Sequence, residues 1–530
     1  SAVVDLHRID KVKRFLSITL SIANAHTVEF YTQDVWKRFV AVSPEEVLLA
    51  VTSCGDQQRE TTFGFCNDSS RLVDIHELLQ AAKAHSLSGL GVCMSRDELL
   101  QDLRQTWSES LEPDEFMNSK KSHEVQSMSN VVACLAHLCG VKQVIDVGSG
   151  KGYLSSFLSL QYGLRVYGID SSSTNTHGAQ ERNRKLKKFS RAYQKHTKAT
   201  RTQAEARHSP EEEVLTGSSD VDPVGERLSE DNPETEEPFL SALSVDVMQP
   251  TSSRVPPSQL SDEERERRKR ENLERKSQNR PNSTSTVFSP LTSYVTPETE
   301  LRDLIDELED AVMVGLHTCG DLAPSTLRMF VAKPELTAVC SVGCCYHLLS
   351  EEFDPCLESV CGFPLSQYLR SQSWFCGRNA RMSACLVSLH DENTGIQMES
   401  LFYRAVLHVI LRDHYSSYKS EKRVGNVYSK AESFVDYVRR ALRRLELDES
   451  KLSDSNIQDY HDTYRVRMDE MHAFNMKKLG CDIHVSYCFM VVCLYVLQED
   501  VSFSALVQLF DPLLSPRCYA VVGLKGYSKR

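Results

Sequence analysis

Val144-Ile145-Asp146-Val147-Gly148-Ser149-Gly150-Lys151-Gly152 is the stretch on which the fold turns. A short apolar run ends in an acidic residue, and three glycines follow at every second position. Tyr153 then opens a helical pattern. That succession is strand, tight turn, helix, the first βα unit of a doubly wound α/β sheet. Glycines suit the turn because a side chain there would hold a ligand away from the backbone and the helix N-terminus.

The spacing narrows the ligand. A dinucleotide fingerprint puts its third glycine three positions after the second. Here Tyr153 stands at that position and the extra glycine is Gly152, which disfavours a nicotinamide dehydrogenase. Acidic-x-Gly-x-Gly-x-Gly is the pattern of class I S-adenosyl-L-methionine (SAM) methyltransferases, whose sheet is Rossmann-like. A second strand, Leu164 to Ile169, ends at Asp170, about 20 residues past the loop, where a carboxylate can take both ribose hydroxyls. The cofactor-binding candidates are therefore Asp146, Gly148, Ser149, Gly150, Gly152 and Asp170. Lys120 joins them. Ser122 reads as the cap of a helix that stops at Gly140, with Val125, Met128, Val131, Val132 and Leu135 on one face. In this fold that helix starts near the methionine end of SAM. Lys120 or Lys121 could then reach its carboxylate, and Glu124 its ammonium.

The totals bound the rest. A chain of 530 residues is too long for one core. Its net charge of −12 and pI of about 5.8 exclude a global basic field for nucleic acid. The 17 cysteines are irregularly spaced and no secretory segment is visible, which points to reduced thiols in the cytoplasm or nucleus. The longest apolar run, Val485 to Leu497, is too short to span a bilayer and reads as a buried helix, so no membrane association is expected.

Four regions emerge. Residues 1–115 read as a helical N-terminal domain suited to a protein partner, with Val12, Phe15, Leu16, Ile18, Leu20 and Ile22 in one helix and Ser43-Pro44-Glu45 starting another. Residues 116–350 hold the first part of the methyltransferase core, interrupted at 190–283. That interruption is rich in Glu, Ser, Thr, Pro and Arg with almost no aromatics, so it reads as a disordered insertion. The basic helix after Asp170 (Arg182, Arg184, Lys185) and the charged run Glu263 to Lys276 keep RNA open as a partner. A third strand is expected over Val287 to Val295, then a helix capped by Thr296 with Leu301, Leu304, Ile305 and Leu308 buried.

Strands Ala311 to Leu316 and Leu336 to Val342 each run into a polar cluster, His317-Thr318-Cys319-Gly320-Asp321 and Gly343-Cys344-Cys345-Tyr346-His347. In open parallel sheets ligands bind at that edge, so both clusters should face the cofactor. Residues 351–480 read as a helical insertion, with amphipathic segments Met398 to His414 and Lys430 to Leu447, the second bearing Arg439, Arg440, Arg443 and Arg444. Residues 481–530 complete the sheet with strands Phe503 to Phe510 and Cys518 to Leu524.

The glycine loop, the His317 to Asp321 run, the Cys344 to His347 run, Tyr403-Arg404-Ala405 and Ser515-Pro516-Arg517 resemble the methyltransferase-like protein 25 family, whose relatives are named for a ribosomal RNA adenine dimethylase domain. The resemblance spans about Met117 to Lys525 except the disordered insertion, and it implies a class I fold and SAM binding. Adenine methylases carry Asp/Asn-Pro-Pro-Tyr/Phe after the fourth strand, where this chain has His317-Thr318-Cys319-Gly320-Asp321.

For catalysis, His317 and His347 are candidate bases because imidazole titrates near neutral pH. Asp321 could orient His317 or accept a hydrogen bond from the substrate, and Tyr346 could stack a planar one. Cys345 as a nucleophile is disfavoured, since buried cysteines are common structural residues. His317, Cys319, Cys344, Cys345 and His347 could converge on a metal, but no Cys-x-x-Cys pair is there, so none is assigned. The expected function is SAM-dependent transfer of a methyl group to an unidentified acceptor, protein, RNA or small molecule. The alternative is an inactive SAM-fold scaffold for protein partners.

Overall fold

A computed structural model describes residues 5–52, 74–103, 118–184, 288–353, 362–384, 394–415, 424–425, 427–475, 493 and 501–526. Eight strands form one sheet: β1 (Cys93–Ser95), β2 (Gln143–Val147), β3 (Arg165–Asp170), β4 (Phe288–Thr292), β5 (Ala311–Cys319), β6 (Leu336–Cys344), β7 (Phe503–Gln508) and β8 (Tyr519–Leu524). Their order is β1-β7-β8-β6-β5-β2-β3-β4. Neighbours are parallel except that β8 runs antiparallel to both β6 and β7. The chain thus winds from β2 out to β4, returns to β5 and β6, and closes with the expected antiparallel pair. The β2/β5 junction is the topological switch point, where open α/β sheets bind ligands.

Parallel strands buried on both faces need continuous apolar runs, and all five residues of β2 are buried. Successive side chains alternate between two layers. Val312, Val314, Ala338 and Cys340 pack with Val125, Met128, Val132 and Leu135 of the Ser119–Cys139 helix and with Leu154 and Leu158 of the Tyr153–Tyr162 helix. Met313, Val339 and Ile145 face the other way, onto Leu327 and Phe330 of the Leu322–Ala332 helix. That second layer is continuous with the outlying helices. The Leu6–Ala23 helix buries Val12, Phe15, Leu16 and Ile22, and Phe30 meets Phe474 with ring centroids 5.6 Å apart. Arg467 pairs with Asp34 at 2.6 Å, tying the helices of 362–475 to those of 5–52.

Several expectations are corrected. The N-terminal stretch is not wholly helical, because β1 adds an edge strand beside β7. The helix before β2 is capped by Asn118, whose Oδ1 accepts the Lys121 N–H at 2.8 Å, so Ser122 lies inside it. After Thr296 there is only a short 3-10 turn, Leu301–Asp303. Leu301 and Ile305 are still buried, as the apolar pattern required. β5 and β6 run past their apolar runs, so His317, Thr318, Cys319 and Cys344 lie within strands. The basic helix after Asp170 is present over 173–184. The insertion at 190–283 and nearly all of Val485 to Leu497 lie outside the described residues. On the Phe434–Arg444 helix Arg439 pairs with Asp454, Arg440 with Asp436 and Arg443 with Glu449.

Candidate functional site

The loop after β2 is built for close backbone approach. Gly148, Gly150 and Gly152 have φ of 72°, 55° and 70°, a region where a side chain is strained. Their surroundings differ. A Cβ on Gly152 would stand 2.7 Å from Phe288 Cζ, and one on Gly148 would stand 3.0 Å from Leu322 Cδ2. A Cβ on Gly150 would meet nothing within 4 Å. Gly148 and Gly152 are therefore glycines of packing, whereas Gly150 opens onto free space. Ser149 places its hydroxyl in a buried position with no hydrogen-bond partner among the described residues.

Two carboxylates brace this loop. Asp170 ends β3; its Oδ2 accepts the Gly150 N–H at 3.0 Å, and its Oδ1 accepts the Ser172 N–H at 2.8 Å and the Asn175 Nδ2 at 3.1 Å. Asp146 lies under the loop, only 1 % exposed, and accepts the Ser155 hydroxyl at 2.5 Å. Burial pushes its carboxyl up to about 7. Asp146 anchors the following helix rather than lining an open surface.

Beside the loop, an irregularity in β5 aims His317. Gly315 pairs with Ser341 and Thr318 with Gly343, so β5 holds one extra residue, a β-bulge. Leu316 is buried in the cluster that holds the apolar face of the Ser119–Cys139 helix, and His317, which regular alternation would send to the opposite face, reaches Glu124 of that same helix. His317 Nε2 lies 3.2 Å from Glu124 Oε2. The same oxygen accepts from Lys121 Nζ at 3.1 Å, and Glu124 Oε1 accepts the Ser515 hydroxyl at 2.8 Å. Burial of Glu124 works to raise its pKa, but the hydrogen bonds and charges of His317 and Lys121, with Ser515, outweigh it and hold the carboxyl below the usual range.

The remaining candidates separate from this group. Asp321 Oδ1 accepts the Ser350 N–H at 2.8 Å, and burial raises its carboxyl. The group beside His317 is Glu124, not Asp321. Tyr346 is packed in the core with its hydroxyl donating to the Gly343 carbonyl at 3.2 Å, so its ring does not stand open for stacking. His347 is buried, which pushes its pKa down. Behind it, Glu351 forms a buried ion pair with Arg381 and accepts the Cys376 N–H at 2.7 Å. Lys120 is half-buried, and desolvation lowers its pKa, with Glu124 and Arg517 among the charges near it. The three thiols of Cys319, Cys344 and Cys345 do converge, their sulfurs all lying within 4.8 Å of one another. The role of Ser515 as a Glu124 donor escaped sequence reasoning. Its signal was the short Ser515-Pro516-Arg517 run between the two closing strands.

Among the described residues no helix is long and apolar enough to cross a membrane. Residues 120–352, which span both clusters and the glycine loop, match the family described as Methyltransferase domain. A probable methyltransferase-like protein 25 from Mus musculus is 44% identical over 582 residues, covering 97% of this chain and 96% of the relative. Its counterpart from Homo sapiens is 42% identical over 589 residues, covering 98% of this chain and 96% of the relative. No solved structure matches the chain. A methyltransferase domain on a mixed α/β sheet, with relatives this similar along nearly the whole length, makes the chain a methyltransferase by family, and that family is the methyltransferase-like protein 25 family.

Proposed function

We propose that the chain transfers a methyl group from SAM to an acceptor held at the C-terminal edge of β5 and β6. The observation that carries this reading is the loop itself. Gly150 opens onto free space beside the Asp170 carboxylate that accepts its N–H, and the neighbouring Ser149 has a buried hydroxyl with no partner among the described residues. Those groups fit a nucleoside with a charged amino-acid tail. Asp170 would take the ribose hydroxyls, the backbone of Gly148 to Gly150 would lie along the tail, and Lys120 would pair with its carboxylate. SAM supplies an electrophilic methyl on a sulfonium, so the protein's task is chiefly to align an acceptor lone pair and, where needed, remove a proton.

His317 is suited to that proton. His317 Nε2 lies 3.2 Å from Glu124 Oε2 and 3.3 Å from Lys121 Nζ; in the tautomer whose Nε2–H donates to the carboxylate, Nδ1 is left as the acceptor. Glu124 then works as a positioning residue, fixed by Lys121 and Ser515. The ten described cysteines are free thiols, in keeping with work in the cytoplasm or nucleus. Calorimetric titration of the full chain with SAM and with its demethylated product tests the reading. Micromolar binding of both, lost in Gly150→Arg, is the expected result and justifies a labelled-methyl screen over protein, RNA and small-molecule fractions for the acceptor. Absence of binding to folded protein would overturn the proposal and leave a partner-binding scaffold.

A further inference from the structure

We propose that Cys319, Cys344 and Cys345 form a zinc site, three thiolates holding the ion and leaving its fourth position open. The residues converge for reasons visible in the backbone. Cys319 ends β5 and Cys344 ends β6, and the two are direct partners in the parallel register, which puts their side chains on one face. Cys319 Sγ lies 2.9 Å from Cys344 Sγ. Cys345, next in sequence, would ordinarily point away. Its φ of 50° is left-handed, a conformation that strains a residue with a side chain, and in that conformation its sulfur stands 3.8 Å from Cys344 Sγ. Zinc–sulfur bonds of about 2.3 Å at tetrahedral angles set sulfurs about 3.8 Å apart. The Cys344–Cys345 spacing is already of that size, and the Cys319–Cys344 pair, at 2.9 Å, has to open by about 0.9 Å.

The surroundings suit a cation that must be loaded from solution. Cys344 is buried, while Cys319 and Cys345 are partly exposed, which gives an entry path. The linear sequence argues against a metal because no Cys-x-x-Cys pair is there; the sheet register supplies the pairing that spacing does not. A three-ligand site with one open position is the arrangement of catalytic rather than structural zinc, able to lower the pKa of a bound water or thiol. It lies on the two strands whose ends define the acceptor edge.

The experiment uses the full chain, purified under reducing conditions without a histidine tag and incubated with zinc alone. One zinc per chain by elemental analysis is expected. Its affinity should fall in Cys319→Ser and in Cys345→Ser by more than the roughly 10–100-fold that loss of an outer-shell partner costs. Cobalt(II) exchanged into the wild-type chain should give a thiolate-to-metal charge-transfer band with tetrahedral d–d absorption, a readout that needs no variant to fold. Folded wild-type protein that takes up no zinc and shows no such band overturns the site. So does zinc retained unchanged in both variants, which would place it on other cysteines.

Discussion

Gly150 and Gly152 stand two residues apart with nearly the same backbone, yet the structure sets them different tasks, and alanine at each separates the tasks. At either position the left-handed φ costs a non-glycine residue about 1–2 kcal/mol. At Gly150 nothing else is added, since the new methyl would meet no atom within 4 Å. At Gly152 the methyl would lie 2.7 and 2.9 Å from two carbons of the Phe288 ring and 3.2 Å from Ala179 Cβ. Phe288 is fully buried on β4 and cannot swing aside, so overpacking adds about 1–3 kcal/mol. Gly152→Ala should therefore destabilise by about 2–5 kcal/mol and Gly150→Ala by about 1–2 kcal/mol. Thermal unfolding of the purified variants, followed by circular dichroism, reads the difference. Phe288→Leu in the Gly152→Ala background should recover part of the loss, because it removes the ring carbons that clash. Equal loss at both positions, or no recovery in the double variant, would refute the reasoning.

Asp146, whose carboxyl burial moves to about 7, contributes stability that is full below about pH 4 and is lost as pH rises to about 7; a displacement of that size corresponds to roughly 4 kcal/mol. Asp146→Asn, which keeps an acceptor for Ser155, should thus raise the melting temperature at pH 8 relative to wild type but not below pH 4; a pH-independent difference would count against this. Glu124 has the opposite sign, since its depressed carboxyl contributes stability above the ordinary glutamate range that is lost as pH falls. Glu124→Gln should lose roughly 3 kcal/mol near pH 7 and flatten the acid side of the melting curve, and an unchanged acid limb would show that the carboxylate is not held as described. Asp170→Ala should weaken SAM binding at least tenfold, as loss of hydrogen bonds to a charged group worth roughly 1.5–3 kcal/mol requires, and an unaltered dissociation constant in the folded variant would remove Asp170 from the ribose.

What the linear chain reveals here follows the range of each interaction. The glycine loop, the acid after β3 and the closing strand pair are local patterns, each carried by periodicity or spacing within a few residues, and the sheet bears all three out. β1 is three residues long and owes its place to β7, which lies four hundred positions later, so no local signal marks it. The stretch after Thr296 has the cap and apolar spacing of a helix, yet it forms only the 3-10 turn Leu301–Asp303 before β5. His317 was visible as a residue at a strand end, whereas its partner depends on a bulge that shifts register against β6. The same register explains why the cysteines seemed too scattered for a metal.

The place of β8 bears on how the molecule is made. β6 finds its second neighbour in residues 519–524, and β1, laid down early, pairs with β7. As the chain emerges from the ribosome, half the sheet is complete while β6 presents a bare row of amides and carbonyls and β1 has nothing to join. That interval lasts through some hundred and sixty residues before the final hairpin arrives. Pairings so distant in sequence form slowly. A chain cut short before Phe503 would carry the glycine loop and every catalytic candidate, and still expose a sheet edge primed to pair with another copy.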